Sequence, residues 1–102
     1  MKDKVFEMKG KVWLYPGESA SWHFVTLPIK ESALIKERYG SFSRGWGSLP
    51  VAVSLGTTAW QTSIFPDKHS GGYILPLKAS VRIKEQIRER DTVSFLITVR
   101  AK

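Results

Sequence analysis

The sequence predicts a mainly β (α+β) fold: a small closed or half-split barrel with a pseudo-two-fold β-β-α-β repeat, six strands and two short helices. One observation is the alternation of apolar and polar residues over short segments, which is typical of strands with one buried face. The other is an internal repeat. Leu27-Pro28-Ile29-Lys30 recurs as Leu75-Pro76-Leu77-Lys78, and Ile35-Lys36-Glu37 recurs as Ile83-Lys84-Glu85, both after 48 residues. A repeated unit in a short chain indicates a pseudo-symmetric architecture.

The first half is expected to contain strands over residues 4–15, 21–27 and 49–55. A turn at Pro16-Gly17-Glu18 joins the first two strands. Leu27-Pro28 marks a change from strand to helix, because the residue before proline favours an extended backbone and proline is tolerated in the first helical turn. The helix runs to about Tyr39, and Gly40 is expected to supply a left-handed cap.

The second half repeats this order, with strands expected over residues 58–65, 73–75 and 92–100 and a helix over about 79–87. Leu75-Pro76 is interpreted as a second change from strand to helix. Closing the six strands into a barrel would remove the exposed edges that short strands otherwise leave.

Length and composition indicate one domain over residues 1–102, with repeat halves at about 4–55 and 57–101. No apolar run approaches 18 residues and the N-terminus has no signal-peptide pattern, so a cytoplasmic protein without a membrane span is expected. The chain has no cysteine, which excludes disulfides and thiolate metal sites. The net charge of +7 favours anionic partners, although like charge also keeps proteins soluble. Basic residues are evenly spread over the two halves, which favours a role of the charge in solubility over a dedicated anion-binding surface. A monomer or weak dimer is expected.

Five runs, in order along nearly the whole chain, resemble the family known as domain of unknown function 1905, a small prokaryotic domain. They are Gly10-Lys11-Val12-Trp13, residues 22–28, Arg44-Gly45-Trp46-Gly47-Ser48, residues 60–66 and residues 73–82. The resemblance implies a double-split β-barrel, similar to the swapped-hairpin transition-state regulators and antitoxins, and it implies no activity. Those regulators usually place a glycine before the aspartate that corresponds to Asp91. Here that residue is Arg90, so the turn is expected to be built differently.

The best loop candidate for a binding site is Arg44-Gly45-Trp46-Gly47-Ser48. Glycines on both sides of Trp46 allow a sharp turn and a close approach of a ligand, and Arg44 could bind a phosphate or carboxylate. A tight turn with a packed Trp46 is the simpler alternative. Trp60 and Thr62 share one face of their strand and could line a pocket, although a core tryptophan with strand-forming threonines gives the same pattern.

Lys30 and Lys78 occupy matching repeat positions, expected just inside each helix. A cation is unfavourable at that end unless an anion binds there. Arg82 follows Lys78 by one turn, whereas Leu34 follows Lys30, so an anion site is expected in the second half. The alternative is a solvated lysine lying over apolar surface. His23 and His69 are interpreted as structural or surface residues, with no metal-ligand spacing around them.

The sequence is therefore interpreted as a non-catalytic ligand-binding or interaction domain without a cofactor. A binding groove is predicted to be formed by Arg44, Trp46, Trp60 and Lys78, with Thr62 and Arg82 beside them. The expected partner is a small anionic ligand or a protein. Two alternatives stay open: nucleic-acid binding, motivated by the net charge and the regulator-like architecture, and a small enzyme of unknown reaction, for which no nucleophile–base pair is evident.

Overall fold

The computed structural model describes residues 5–15 and 22–100. Within these residues, six strands form a closed antiparallel barrel in the order β1-β2-β5-β4-β3-β6, accompanied by two helices. The predicted fold is therefore confirmed, while the turn predicted at residues 16–18 lies outside the described residues. The elements are β1 (Val5–Tyr15), β2 (Trp22–Thr26), α1 (Ile29–Tyr39), β3 (Leu49–Leu55), β4 (Thr58–Pro66), β5 (Tyr73–Leu77), α2 (Ala79–Glu85) and β6 (Thr92–Val99).

The strands β1 and β4 each belong to two sheets, which is what splits the barrel. Residues 5–11 of β1 pair with β6, and residues 12–15 pair with β2. In the same way, residues 58–64 of β4 pair with β3, and only residues 65–66 pair with β5. The pairs β2–β5 and β3–β6 complete the ring. The set of pairings is unchanged when β1, β2 and β3 are exchanged with β4, β5 and β6.

The core fills the interior of this ring with the alternate, inward-facing residues of the strands. Val25, Leu49, Val51, Ile64, Leu75 and Ile97 are completely buried there, and Ile35 adds the buried face of α1. Gly10 lies just before β1 passes from β6 to β2. A side chain at Gly10 would lie 2.7 Å from Val25 Cγ1 and 2.8 Å from the carbonyl oxygen of Thr26, so glycine permits the close crossing of β1 and β2.

The second Leu-Pro pair differs from its prediction. The strand β5 continues through Pro76 to Leu77, paired with Phe24 and His23 of β2, and α2 begins only at Ala79. Proline is tolerated at this position because β4 has already separated from β5, so β5 behaves there as an edge strand. Lys78 is consequently the residue that precedes α2, with extended ψ of 161°, and does not lie inside the helix as predicted.

Three helix and turn predictions are also corrected. Gly40 has right-handed angles (φ −59°, ψ −31°), so it is not a left-handed cap, and the chain continues into a short 3₁₀ turn. The helix α2 ends at Glu85 rather than 87, because Gln86 takes the left-handed conformation with φ 57°. Arg90 keeps a left-handed turn (φ 78°) despite its side chain. Its N–H donates to the carbonyl oxygen of Val12 at 2.8 Å, and this contact with β1 holds the turn.

Over residues 5–15 and 22–100, none of the helices combines the length and the apolar character that crossing a membrane requires.

Candidate functional site

The separation of β4 from β5 opens a cleft in the barrel wall, which we call the β4–β5 cleft. It encloses about 330 Å³ between the middle of β4, the end of β5, the start of α2 and the adjoining part of β2. A volume of this size is at the lower end of the range found for small-molecule sites. The lining residues are Trp22, His23, Trp60, Gln61, Thr62, Pro76, Leu77, Lys78, Ala79 and Arg82.

Trp60 and Thr62 form the β4 side of the cleft. Their partners across the β3–β4 ladder, Val53 and Val51, are buried, so both side chains lie on the inward face of β4. Trp60 packs against the core and yet remains partly accessible. One surface of its ring system therefore supports the barrel while the accessible part offers a flat apolar wall to the cleft.

Two cations form the opposite side. Arg82 is held in place because its Nε–H donates to the carbonyl oxygen of Leu77 at 3.1 Å. That bond uses one of the five guanidinium donors. Lys78 is exposed and lines the same cleft. The described lining residues include no carboxylate, so the electrostatic environment of the β4–β5 cleft is positive.

The symmetry-related gap, between β1 and the chain that follows β2, has a different character. Its cavity is lined by Glu7, Met8, Lys9, Pro28, Glu31 and Ser94. Two carboxylates and one lysine make this lining acidic, and no aromatic side chain contributes to it. The two halves share a topology, but the cationic and aromatic cleft lies in the second half.

The structure separates the predicted site residues into two groups. Trp60, Thr62, Lys78 and Arg82 line the β4–β5 cleft, whereas Trp46 lines a different cavity of about 890 Å³. Arg44 is exposed and lies two residues before Trp46. The predicted single groove that combines both groups is therefore not formed.

The distance along β4 explains this separation. The loop that carries Trp46 packs near the end of β4, where a side chain on Gly47 would lie 3.0 Å from Pro66 Cγ. Trp60 is six residues earlier in the same strand, and at about 3.3 Å per residue this corresponds to roughly 20 Å.

Sequence reasoning missed the contribution of β2 to the cleft. Trp22 and His23 line it because β2 pairs with β5, placing His23 opposite Leu77. Only the pairing of distant strands could have revealed this, since no local pattern links residues 22–23 to residues 76–78. His69 lines a separate small cavity beside Trp13. In the described ranges, His, Asp and Glu side chains form no group of three or more that could hold a metal ion.

The six described strands form a closed antiparallel barrel whose wall carries a cationic, tryptophan-lined cleft. This architecture defines a small β-barrel domain with a cleft of ligand size. The family model described as Domain of unknown function (DUF1905) matches residues 9–97. The match covers most of the chain, and the chain belongs to this family, as the sequence resemblance predicted. A comparison with proteins of curated function finds no match.

Proposed function

We propose that this domain binds a small anionic ligand with a planar apolar part in the β4–β5 cleft. The observation that carries the proposal is the combination of Trp60 with Lys78 and Arg82 around one cavity whose described lining has no carboxylate. The anionic group would face the two cations, and the planar part would lie against the accessible part of Trp60.

The positioning of Arg82 supports recognition of an oxyanion. A guanidinium held by one backbone contact loses less side-chain freedom when a ligand binds, and its remaining donors suit a carboxylate or phosphate. Lys78 adds a compact positive charge. A hydrogen bond to a charged group contributes about 1.5–3 kcal/mol net, so loss of either cation corresponds to an affinity change of roughly 10- to 150-fold.

Binding alone is proposed, without a catalytic step. The described lining includes His23, a side chain that can do acid–base work, but no serine, cysteine or carboxylate that could act as its nucleophile. The volume of about 330 Å³ favours a small molecule over a long polymer.

The four tryptophans of the chain provide a direct test, because each indole N–H gives its own signal in a ¹⁵N-correlated NMR spectrum. The probes are inorganic phosphate, benzoate and a nucleoside monophosphate. We expect benzoate or the nucleotide to shift the signals of Trp60 and Trp22, which line the cleft. The signal of Trp13, whose Nε1–H donates to Thr26 Oγ1 at 2.8 Å, should stay in place.

Matched variants test whether Lys78 and Arg82 are responsible for binding the anion. Lys78→Ala and Arg82→Ala should each weaken binding by roughly 10- to 150-fold. Lys30→Ala removes another exposed lysine, from α1, and should have no effect. The proposal fails if the anions leave the signals of Trp22 and Trp60 unmoved at millimolar concentration. It also fails if both cleft variants bind as the unmodified protein does.

A further inference from the structure

Trp46 is the most exposed large apolar side chain of the described residues, with 93% of its surface accessible. Its backbone is left-handed (φ 65°, ψ 13°), and Gly47 follows with φ 76°. The N–H of Ser48 donates to the carbonyl oxygen of Gly45 at 3.3 Å, which closes a type I′ turn with Trp46 at its first central position. Asparagine, aspartate or glycine normally occupies that position.

Fold stability does not explain a tryptophan in this turn. A bulky residue in the left-handed region strains the backbone, and such strain persists where it serves a function. A ring that is 93% exposed makes little packing contact to compensate for this strain. The position therefore indicates contact with a molecule outside the chain.

The turn holds the backbone of Trp46 in a fixed position. The N–H of Arg44 donates to the carbonyl oxygen of Ser48 at 2.8 Å, and the N–H of Gly47 donates to that of Arg44 at 2.8 Å. The hydroxyl of Ser48 adds a bond to the carbonyl oxygen of Gly45 at 3.1 Å. A loop closed by these contacts loses little backbone freedom when a ligand stacks on the ring.

The surroundings of Trp46 are cationic. Lys36 of α1 and Lys68 of the loop after β4 line the same cavity of about 890 Å³, and Arg44 is exposed close by in sequence. Asp67 supplies the carboxylate of this lining, and it accepts the N–H of Ser70 at 3.1 Å. We call Lys36, Arg44, Trp46 and Lys68 together the Trp46 surface.

We propose that the Trp46 surface binds single-stranded nucleic acid, with one base stacked on the indole and neighbouring phosphates on the three cations. Charge complementarity selects this partner: a second copy of the chain also carries +7 and would be repelled. A single strand fits better than a duplex, because only unpaired bases offer a free face to an isolated aromatic ring. This site is separate from the β4–β5 cleft and does not depend on the ligand proposed there.

The test is fluorescence anisotropy with a labelled oligothymidylate of about 12 nucleotides, within the site sizes of small nucleic-acid-binding barrels. With three phosphate contacts, log affinity should fall against log salt with a slope of about −2, so affinity drops about 20-fold between about 50 and 200 mM salt. Lys36→Ala and Lys68→Ala should each reduce that slope by about 0.7.

Trp46→Asn separates binding from folding, because asparagine suits the left-handed turn. This variant should bind the oligonucleotide about 5- to 150-fold more weakly, while its thermal midpoint stays the same or rises. Ile83→Asn is the matched control, since Ile83 is a 77% exposed apolar residue on α2 and should leave binding unchanged.

The proposal is overturned by undiminished binding by Trp46→Asn, by affinity independent of salt, or by equal affinity for a duplex of the same length. Lys78→Ala and Arg82→Ala should bind the oligonucleotide normally. If they do not, the strand occupies the β4–β5 cleft and the assignment to Trp46 is wrong.

Discussion

Replacing Arg90 by glycine should stabilise the protein. Arg90 is exposed and holds a left-handed backbone with φ 78°, a conformation that costs a non-glycine residue about 1–3 kcal/mol. Glycine removes this strain but loses about 0.5–1 kcal/mol through its greater freedom in the unfolded chain. The net gain in the free energy of unfolding therefore lies between about 0 and 2.5 kcal/mol and is centred on about 1 kcal/mol. The N–H that donates to Val12 is retained.

The assay is urea denaturation, supported by thermal melting, where each 1 kcal/mol should raise the midpoint by about 4–8 °C for a domain of this size. Arg88→Gly is the matched control, because it removes the same charge two residues earlier at a position without positive φ. That variant should lose about 0.5–1 kcal/mol. The reasoning is refuted if Arg90→Gly is no more stable than the unmodified protein, or if the two variants are equally stable.

Two further predictions concern the turn at Gly56. Gly56→Ala should lower the free energy of unfolding by about 1–3 kcal/mol, because φ is +60° and the new Cβ would overlap the carboxylate of Glu85. Gly45→Ala is the control, since Gly45 has open space around it, and its stability in urea melts should stay within about 0.5 kcal/mol of that of the unmodified protein. Equal losses of stability in the two variants would contradict this reasoning. Hydrogen bonds from Thr58 and then Thr57 lower the pKa of Glu85 below its ordinary value of 4.5, so its stabilising contribution is complete above that value and is lost as pH falls through the lower folded pKa. The stability difference between the protein and Glu85→Gln should therefore shrink on acidification in urea melts at a series of pH values, and a constant difference would refute the assignment.

Elements with strong local signals were predicted well from the sequence. The strand β3 has the predicted bounds, Leu49–Leu55, because clean alternation is followed directly by the Gly56-Thr57 turn. The second Leu-Pro pair was misinterpreted because its local sequence copies the first. What distinguishes Pro76 from Pro28 is the pairing with Phe24, which keeps β5 extended. Such long-range pairing overrides local preference and cannot be seen in one segment.

Long-range strand pairing also limited the prediction of the β4–β5 cleft. Trp60, Thr62, Lys78 and Arg82 were singled out from the second half alone, and the structure places them around one cavity. Trp22 joins them only through the β2–β5 ladder. Trp46 was grouped with them because its loop also combines an aromatic ring with a cation, Arg44. The local sequence does not show that this loop packs near Pro66, roughly 20 Å from Trp60 along β4.

Most strand pairings join one half of the chain to the other, and this determines whether a cut in the chain leaves fragments that can fold. A cut at the Gly56-Thr57 turn would leave each fragment with one strand pairing of its own, β1–β2 or β4–β5, while the other four pairings cross between fragments. Two strands alone are marginal in water. Neither fragment is then an autonomous folding unit, although the two should reassemble by complementation. A circular permutant, in contrast, should keep all six strand pairings if the end of β6 is joined to the start of β1, because Thr98 already faces Val5 there.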